Sequence, residues 1–214
     1  MKINYEVIAR TSLRLLNEVG LDGLTMRLVA KELDVQAPAL YWHVRNKQEL
    51  LDAMAGIMLA EVVEGLEPPA PGFSWPDWLG GSVRRLRRVM LGYRDGARVL
   101  AGTNVTHPAV FQMMELTLRA MLDAGFPPDE TARDFPVLLH YTVGYTIEEQ
   151  ARGGASYDGD NPYRPERLAE RLDPRRFPLV AGVLDDLFDP DADAGFERGL
   201  HIILSGMRVT RSGH

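Results

Sequence analysis

Apolar residues recur along this chain at helical spacing almost everywhere. Ile8, Ser12, Leu15, Leu16 and Val19 share one face of a first helix, and Gly20 ends it. Leu21-Asp22-Gly23 predicts a turn. Thr25 is placed to N-cap a short helix that runs to Leu33. Asp34-Val35-Gln36 predicts a tight connection. Pro38 suits the first turn of another short helix, ending near His43. Asn46 caps a long helix from Lys47 to about Leu66. The run Glu67-Pro68-Pro69-Ala70-Pro71-Gly72 predicts a loop.

Further helices are predicted near 76–93, 95–103, 108–125, 128–151, 177–188 and 193–210. Pro136 predicts a kink inside the fourth of these. The stretch from Gly153 to about Pro165 is rich in Gly, Asp, Asn, Pro and Tyr and predicts a long loop. No alternating strand pattern and no internal repeat is present. The expectation is an all-α fold. Residues 1–46 form an N-terminal helix-turn-helix domain of three helices, and residues 47–214 form a larger helical domain for ligand binding and dimerisation.

Composition narrows the function classes. The chain has 214 residues, 45% of them hydrophobic and 25% charged, as in an ordinary globular protein. No apolar run reaches the 18 residues that suggest a membrane span. The first residues, Met1-Lys2-Ile3-Asn4-Tyr5-Glu6, lack the apolar core of a signal peptide. Cysteine is absent, which excludes disulfides, thiolate metal sites and cysteine nucleophiles, and suits a reducing interior. A cytoplasmic location is expected.

The net charge is −6. Residues 1–50 set Lys2, Arg10, Arg14, Arg27, Lys31, Arg45 and Lys47 against Glu6, Glu18, Asp22, Glu32, Asp34 and Glu49, with one basic residue in excess. The acidity therefore belongs to the remainder. That distribution permits nucleic-acid binding by the N-terminal part and does not require it.

Two short helices joined by a tight turn, braced by a third, make a helix-turn-helix pattern. The predicted supporting helix is 25–33 and the recognition helix about 37–43. A major groove admits one helix while its partner crosses the backbone. Pattern alone leaves open a core role for Tyr41 and Trp42 and a plain surface role for His43.

The residues themselves are more specific. Leu24-Thr25-Met26-Arg27, Ala30, Leu33, Val35, Pro38, Leu40-Tyr41-Trp42-His43-Val44, Asn46-Lys47 and Leu50-Leu51-Asp52-Ala53 resemble the N-terminal domain of the TetR family. Leu15-Leu16-Asn17-Glu18-Val19-Gly20 is similar too, and the likeness is to the tetracycline-responsive branch. It implies a transcriptional repressor and not an enzyme. Such a repressor binds a palindromic operator as a homodimer and is released by a small molecule. It further implies that Thr25, Tyr41, His43 and Lys47 touch phosphates and that Arg27 reaches a guanine edge. Gln36, Ala37, Pro38, Ala39 and Trp42 then stand at or beside base-facing positions. Ala37 and Ala39 replace polar residues of the family, which implies a different operator.

The likeness continues through Arg94-Asp95-Gly96-Ala97-Arg98-Val99, Gly102-Thr103, His140-Tyr141-Thr142-Val143-Gly144, Glu148, Gln150 and Gly199-Leu200. It implies effector-binding positions at Val63, Ser82, Leu86, Leu100, Thr103, Thr117, His140 and Glu148. Leu100 stands where the family branch has a magnesium-holding histidine. Val63 stands at a drug-contacting histidine, Ser82 and Leu86 at an asparagine and a phenylalanine, and Thr117 at a glutamine. Leucine cannot ligate magnesium. The expectation is therefore an apolar or aromatic effector with no cofactor or metal; the alternative is a magnesium–tetracycline-like drug.

Dimerisation is expected through the helices near 128–151 and 193–210. The first is apolar nearly all round, through Leu138, Leu139, Tyr141, Val143, Tyr145 and Ile147. The second carries a stripe of Phe196, Leu200, Ile203, Leu204 and Met207. A monomer core is the open alternative for both.

His140 and Glu148 lie about two helical turns apart, roughly 12 Å, too far for an acid/base pair. Asp189-x-Asp191-x-Asp193 lacks the glycine and the final glutamate of a calcium loop and is read as a helix stop with an N-cap at Asp193. Trp75 and Trp78 are read as anchors of the fifth helix. Two competing functions remain: a ligand-binding protein with a vestigial head, and a helical enzyme.

Overall fold

The computed structural model describes residues 3–103, 106–153 and 164–212. All regular structure among them is helical. The long loop expected at 153–165 falls largely outside the described residues.

The head is built from α1 (Tyr5–Gly23), α2 (Met26–Glu32) and α3 (Ala37–Tyr41). Asn4 caps α1 by accepting the Val7 N–H at 2.9 Å. Ile8, Ser12, Leu15 and Leu16 are buried, as their spacing predicts. Gly20 breaks the helical path, with φ 71° and ψ 174°, a conformation that favours glycine. Thr25 caps α2 through the Leu28 N–H. Asp34 takes the tight connection with φ 53°. Helices as short as α2 and α3 do not persist alone in water. They are held by Leu24, Val29, Leu40 and Val44, all fully buried against α1 and the next helix.

That helix, α4 (Lys47–Val63), is capped by Asn46, which accepts from Glu49 N. It is buried on nearly every side because it passes from the head into the body. It packs against α1 at one end and against α5 (Trp75–Leu91), α6 (Gly96–Leu100) and α7 (Pro108–Asp123) along its length. One apolar cluster runs without interruption from Ile8 and Leu40 through Met54 and Met58 to Met90 and Met113.

The body is completed by α8 (Pro128–Gly153), α9 (Pro165–Ala169), α10 (Pro178–Gly182), α11 (Leu184–Leu187) and α12 (Ala192–Ser212). Pro136 lies within α8, which runs on as one element. The helix expected at 177–188 is two short ones, separated at Val183 (φ −132°, ψ 20°). The N-cap expected at Asp193 is Asp191, whose carboxylate accepts Ala194 N at 2.9 Å. Asp193 instead reaches Arg87 at 2.6 Å.

The stripe on α12 also has a different use. Phe196, Leu200 and Met207 are buried within the chain, in a second cluster with Leu79, Met121, Leu138 and Trp75. Trp75 meets Phe126 edge-on at 4.9 Å, as an anchor of α5 should. Tyr141 and Tyr145 of α8 flank Phe196 and donate their hydroxyls to Phe196 O and Ala192 O, each at 2.8 Å. Arg87 closes this junction. It lies over the Phe196 ring at 4.8 Å and binds Glu149 through two nitrogens at 2.8 and 2.6 Å. Those bonds, first of all to Glu149, raise the Arg87 pKa further above its ordinary value. What α8 and α12 leave exposed is another face, with Val137, His140 and Gly144 on α8 and Ile202 (59% exposed), Gly206 and Val209 (72%) on α12.

Candidate DNA-reading head and effector cavity

The head sorts its side chains by polarity. Thr25, Arg27, Gln36, Pro38, Tyr41, Trp42, His43 and Lys47 are exposed, and Ala37 and Ala39 are half-buried. Trp42 is 89% exposed, unusual for an indole with no function on the surface. Leu40 and Val44 take the inward positions of the same stretch. The ten residues expected from the sequence therefore share the α2–α3 segment and the start of α4. Lys47 also donates to Leu21 O at 3.0 Å, which leaves the other protons of its ammonium free.

The expected effector positions divide. Leu100 and Thr103 line an open cavity of about 430 Å³, with Leu59, Thr106, Val110 and Met114. Ser82, Leu86 and Thr117 line a second, closed chamber of about 20 Å³, with Leu79, Val83 and Leu138. Met113, Phe135 and Leu139 belong to both and form the wall between them. Val63 is buried at the end of α4 and lines neither. His140 and Glu148 lie on the exposed face of α8. Glu148 borders a separate cavity of about 600 Å³ beside Tyr145, Arg152 and Phe188. Within one chain the structure does not bring these two to the apolar cavity.

Among the described residues neither chamber is lined by a carboxylate or an imidazole. Among the described residues no group of three or more His, Cys, Asp or Glu is placed to hold a metal ion. Magnesium takes oxygen ligands in an octahedral set and keeps its waters reluctantly exchanged. Leucines, methionines and four scattered hydroxyls do not fit it.

Between cavity and head lies a junction that sequence pattern did not assign. Asp95 accepts Leu21 N at 2.9 Å and binds Arg98 at 3.2 Å. Arg94 donates its backbone N–H to the Asn17 side chain at 2.8 Å and its guanidinium to Glu18 O at 3.2 Å. Arg98 reaches Asp22 at 3.3 Å. Gly20 suits this place by its positive φ, and a Cβ there would press on the Arg94 guanidinium at 3.0 Å. Gln150 of α8 fixes the other side. It accepts Ala97 N at 3.0 Å and donates to Met90 O and Tyr93 O at 3.2 and 2.8 Å. The entry to α6 is thus tied to α1 and α8 together, while the end of α6 supplies Leu100 to the cavity.

Comparison with known proteins agrees with this arrangement. The description "Bacterial regulatory proteins, tetR family" matches residues 8–54, and "Tetracyclin repressor-like, C-terminal domain" matches residues 68–211.

The chain belongs to the TetR family.

It is similar to the tetracycline repressor protein class A from transposon 1721 of Escherichia coli, at 39% identity over 98% of this chain and 93% of that one. A TetR variant of Acinetobacter baumannii AYE in complex with minocycline superposes with a TM-score of 0.74, at 34% identity over 98% and 99% of the two chains. The Streptomyces coelicolor TetR family protein ActR in complex with actinorhodin gives a TM-score of 0.84, at 30% identity over 97% and 96%. Members of the family are transcriptional regulators, so the helical-enzyme reading falls away. No helix among the described residues is long and apolar enough to cross a membrane.

Proposed function

We propose that this chain is a cytoplasmic, ligand-released transcriptional repressor whose effector is apolar or aromatic and arrives without metal. The observation that carries the reading is the course of α4. It begins beside the exposed head residues at Lys47 and forms part of the cavity wall at Leu59. A ligand that moves this wall moves the base of the head.

In this reading residues 1–46 read DNA and residues 47–214 bind the effector and dimerise. Thr25, Tyr41, His43 and Lys47 hold phosphates, and Lys47 adds an ammonium at a helix start whose free N–H groups also attract anions. Arg27 reads a base edge; it is exposed and has no ion-pair partner among the described residues. Gln36, Ala37, Pro38, Ala39 and Trp42 line the groove side of α3. Two copies pair through the exposed faces of α8 and α12 and set the two heads about one helical turn of DNA apart, roughly 34–36 Å.

A second reading, magnesium–tetracycline as effector, is favoured by the minocycline complex of the Acinetobacter relative. It is disfavoured by Leu100 and the apolar lining. A salt series of gel shifts on the DNA upstream of the protein's own gene tests the function. A specific shift that weakens steeply with salt supports it, because phosphate contacts release counterions. No shift at low salt leaves a ligand-binding protein with a vestigial head.

A further inference from the structure

The cavity constrains the chemistry of its ligand beyond its greasiness. Among the described residues its walls are Leu, Val, Met and Phe, with hydroxyls at Ser82, Thr103, Thr106 and Thr117 and no charged side chain. A charged ligand would be stripped of water with nothing to pair with. The ligand is therefore neutral where it is enclosed.

The hydroxyls are not equivalent. Ser82 Oγ donates its proton to Trp78 O at 2.9 Å, and Thr103 Oγ1 donates to Leu100 O at 2.8 Å. A hydroxyl has one proton to give and two lone pairs. Both groups therefore meet a ligand as acceptors. Thr117 is 2% exposed, lines the closed chamber and makes no hydrogen bond among the described residues.

Shape adds a third constraint. Thr103 belongs to the open chamber, and Ser82 and Thr117 to the closed one. The closed chamber, at about 20 Å³, has room for little more than one water. A ligand that reaches Ser82 must displace the shared wall of Met113 and Phe135. Methionine yields readily, having an unbranched and polarizable chain. Long, flat molecules can then thread from one chamber to the other.

We propose that the effector is a neutral, hydroxylated polycyclic aromatic, bound without metal, whose hydroxyl groups donate to Thr103 at one end of the joined cavity and to Ser82 at the other. This rests on the assignment of the cavity as the effector site.

The test is calorimetry of the full-length protein with 2-hydroxyfluorene and with fluorene, in EDTA and in magnesium. Each compound is also titrated into the complex with the upstream DNA. Against an apolar wall the hydroxyl weakens binding, since it loses water and gains nothing; against a waiting acceptor it strengthens it. The expected result is binding of 2-hydroxyfluorene about five- to tenfold tighter than fluorene, the same in EDTA and magnesium. The preference shrinks in Ser82→Ala or in Thr103→Val and vanishes in the double variant. Fluorene, which makes no hydrogen bond, reports the apolar wall alone, so the readout is the ratio of the two affinities in each variant and not either affinity by itself. A preference for fluorene, a preference that survives both substitutions, or binding that needs magnesium overturns the proposal. If both compounds bind equally and both displace DNA, the hydroxyl inference falls while the effector site stands. If neither binds, both fall.

Discussion

The carboxylate of Asp95 accepts the backbone N–H of Leu21 at 2.9 Å, across 74 residues of sequence. This bond joins the residue after Gly20, in the last turn of α1, to the residue just before α6. Asp95 holds a left-handed backbone, φ 58°, which is tolerated by Asp more than by most residues. Its side chain thus faces the head while α6 leads away to the cavity at Leu100. The head and the body are connected here by polar geometry, and through α4 by apolar packing.

Asp95→Ala removes an acceptor from a half-buried N–H and a partner from Arg98. The expected effect is uncoupling. Effector affinity for the free protein stays near that of the parent, because Asp95 lines neither chamber. The ratio of operator affinities without and with effector falls. A cost of about 1–3 kcal/mol in folding stability accompanies it. Paired titrations, ligand into protein and ligand into the DNA complex, check this. An unchanged ratio contradicts the role given to Asp95.

Arg27→Ala is expected to weaken operator binding by about 1–3 kcal/mol and to relax selection at one base pair. Lys47→Ala should weaken binding to all sequences alike and lower the salt slope by about one. Binding to a library of operator variants separates the two. Equal weakening on every sequence in Arg27→Ala would remove its base-reading role.

The α8–α12 junction predicts a non-additive pair. A Cβ at Gly195 would lie 2.3 Å from the Tyr145 hydroxyl, and 3.4 Å from the nearest ring carbon. Gly195→Ala should therefore destabilise the fold by about 1–3 kcal/mol through overpacking. Tyr145→Phe deletes the offending oxygen along with its bond to Ala192 O. In that background Gly195→Ala should cost far less. Urea unfolding of the four proteins at one protein concentration gives the coupling. Additive costs would show that the contact does not limit the approach of the helices.

Burial, with the hydrogen bond to Glu61 second, pushes the Tyr93 phenol up to about 12. Burial, with the neighbouring Tyr145 second, pushes Tyr141 up to about 12 as well. An unfolded tyrosine ionises near 10. Between these values the folded state keeps protons that the unfolded state has lost. The stability contributed by both residues is thus complete below pH 10 and is lost as pH rises toward about 12. Unfolding free energies measured across that window should fall more steeply in the parent than in Tyr93→Phe. Parallel slopes would contradict the assignment.

Much of this was legible in the sequence, and the failures share a cause. Helices such as α5 and α7 came through because one apolar face repeats over several turns, while α4 and α8, apolar nearly all round in sequence, came through by their length and, for α4, by its Asn46 cap. The head came through because its residues from Leu24 to Ala53 resemble those of the family; the spacing alone left Tyr41 and Trp42 open, and the structure turns Leu24, Val29, Leu40 and Val44 inward instead. Periodicity says that a face is buried and not against what. That is why the Phe196–Leu200–Met207 stripe, an expected dimer surface, packs inside its own chain. The segment 177–188 is largely exposed, so no core face held it in one helix across Gly182 and Val183. The cavity draws on α4 through α8, and no spacing rule collects Leu59, Thr103, Met113 and Phe135. Only family resemblance marked Ser82, Leu100 and Thr117. Arg87, Asp95 and Gln150 carry the junctions through contacts more than fifty residues away, and polar residues in a helix give no such signal.

The most direct test of the account follows fluorescence anisotropy of a labelled duplex from the upstream region, bound by the full-length protein. The complex is titrated with 2-hydroxyfluorene and, separately, with tetracycline, each in EDTA and in magnesium. The account predicts a complex of two protomers per site that 2-hydroxyfluorene dissociates equally in both buffers and that tetracycline leaves in place. Dissociation by tetracycline that depends on magnesium, with no response to 2-hydroxyfluorene, would contradict it.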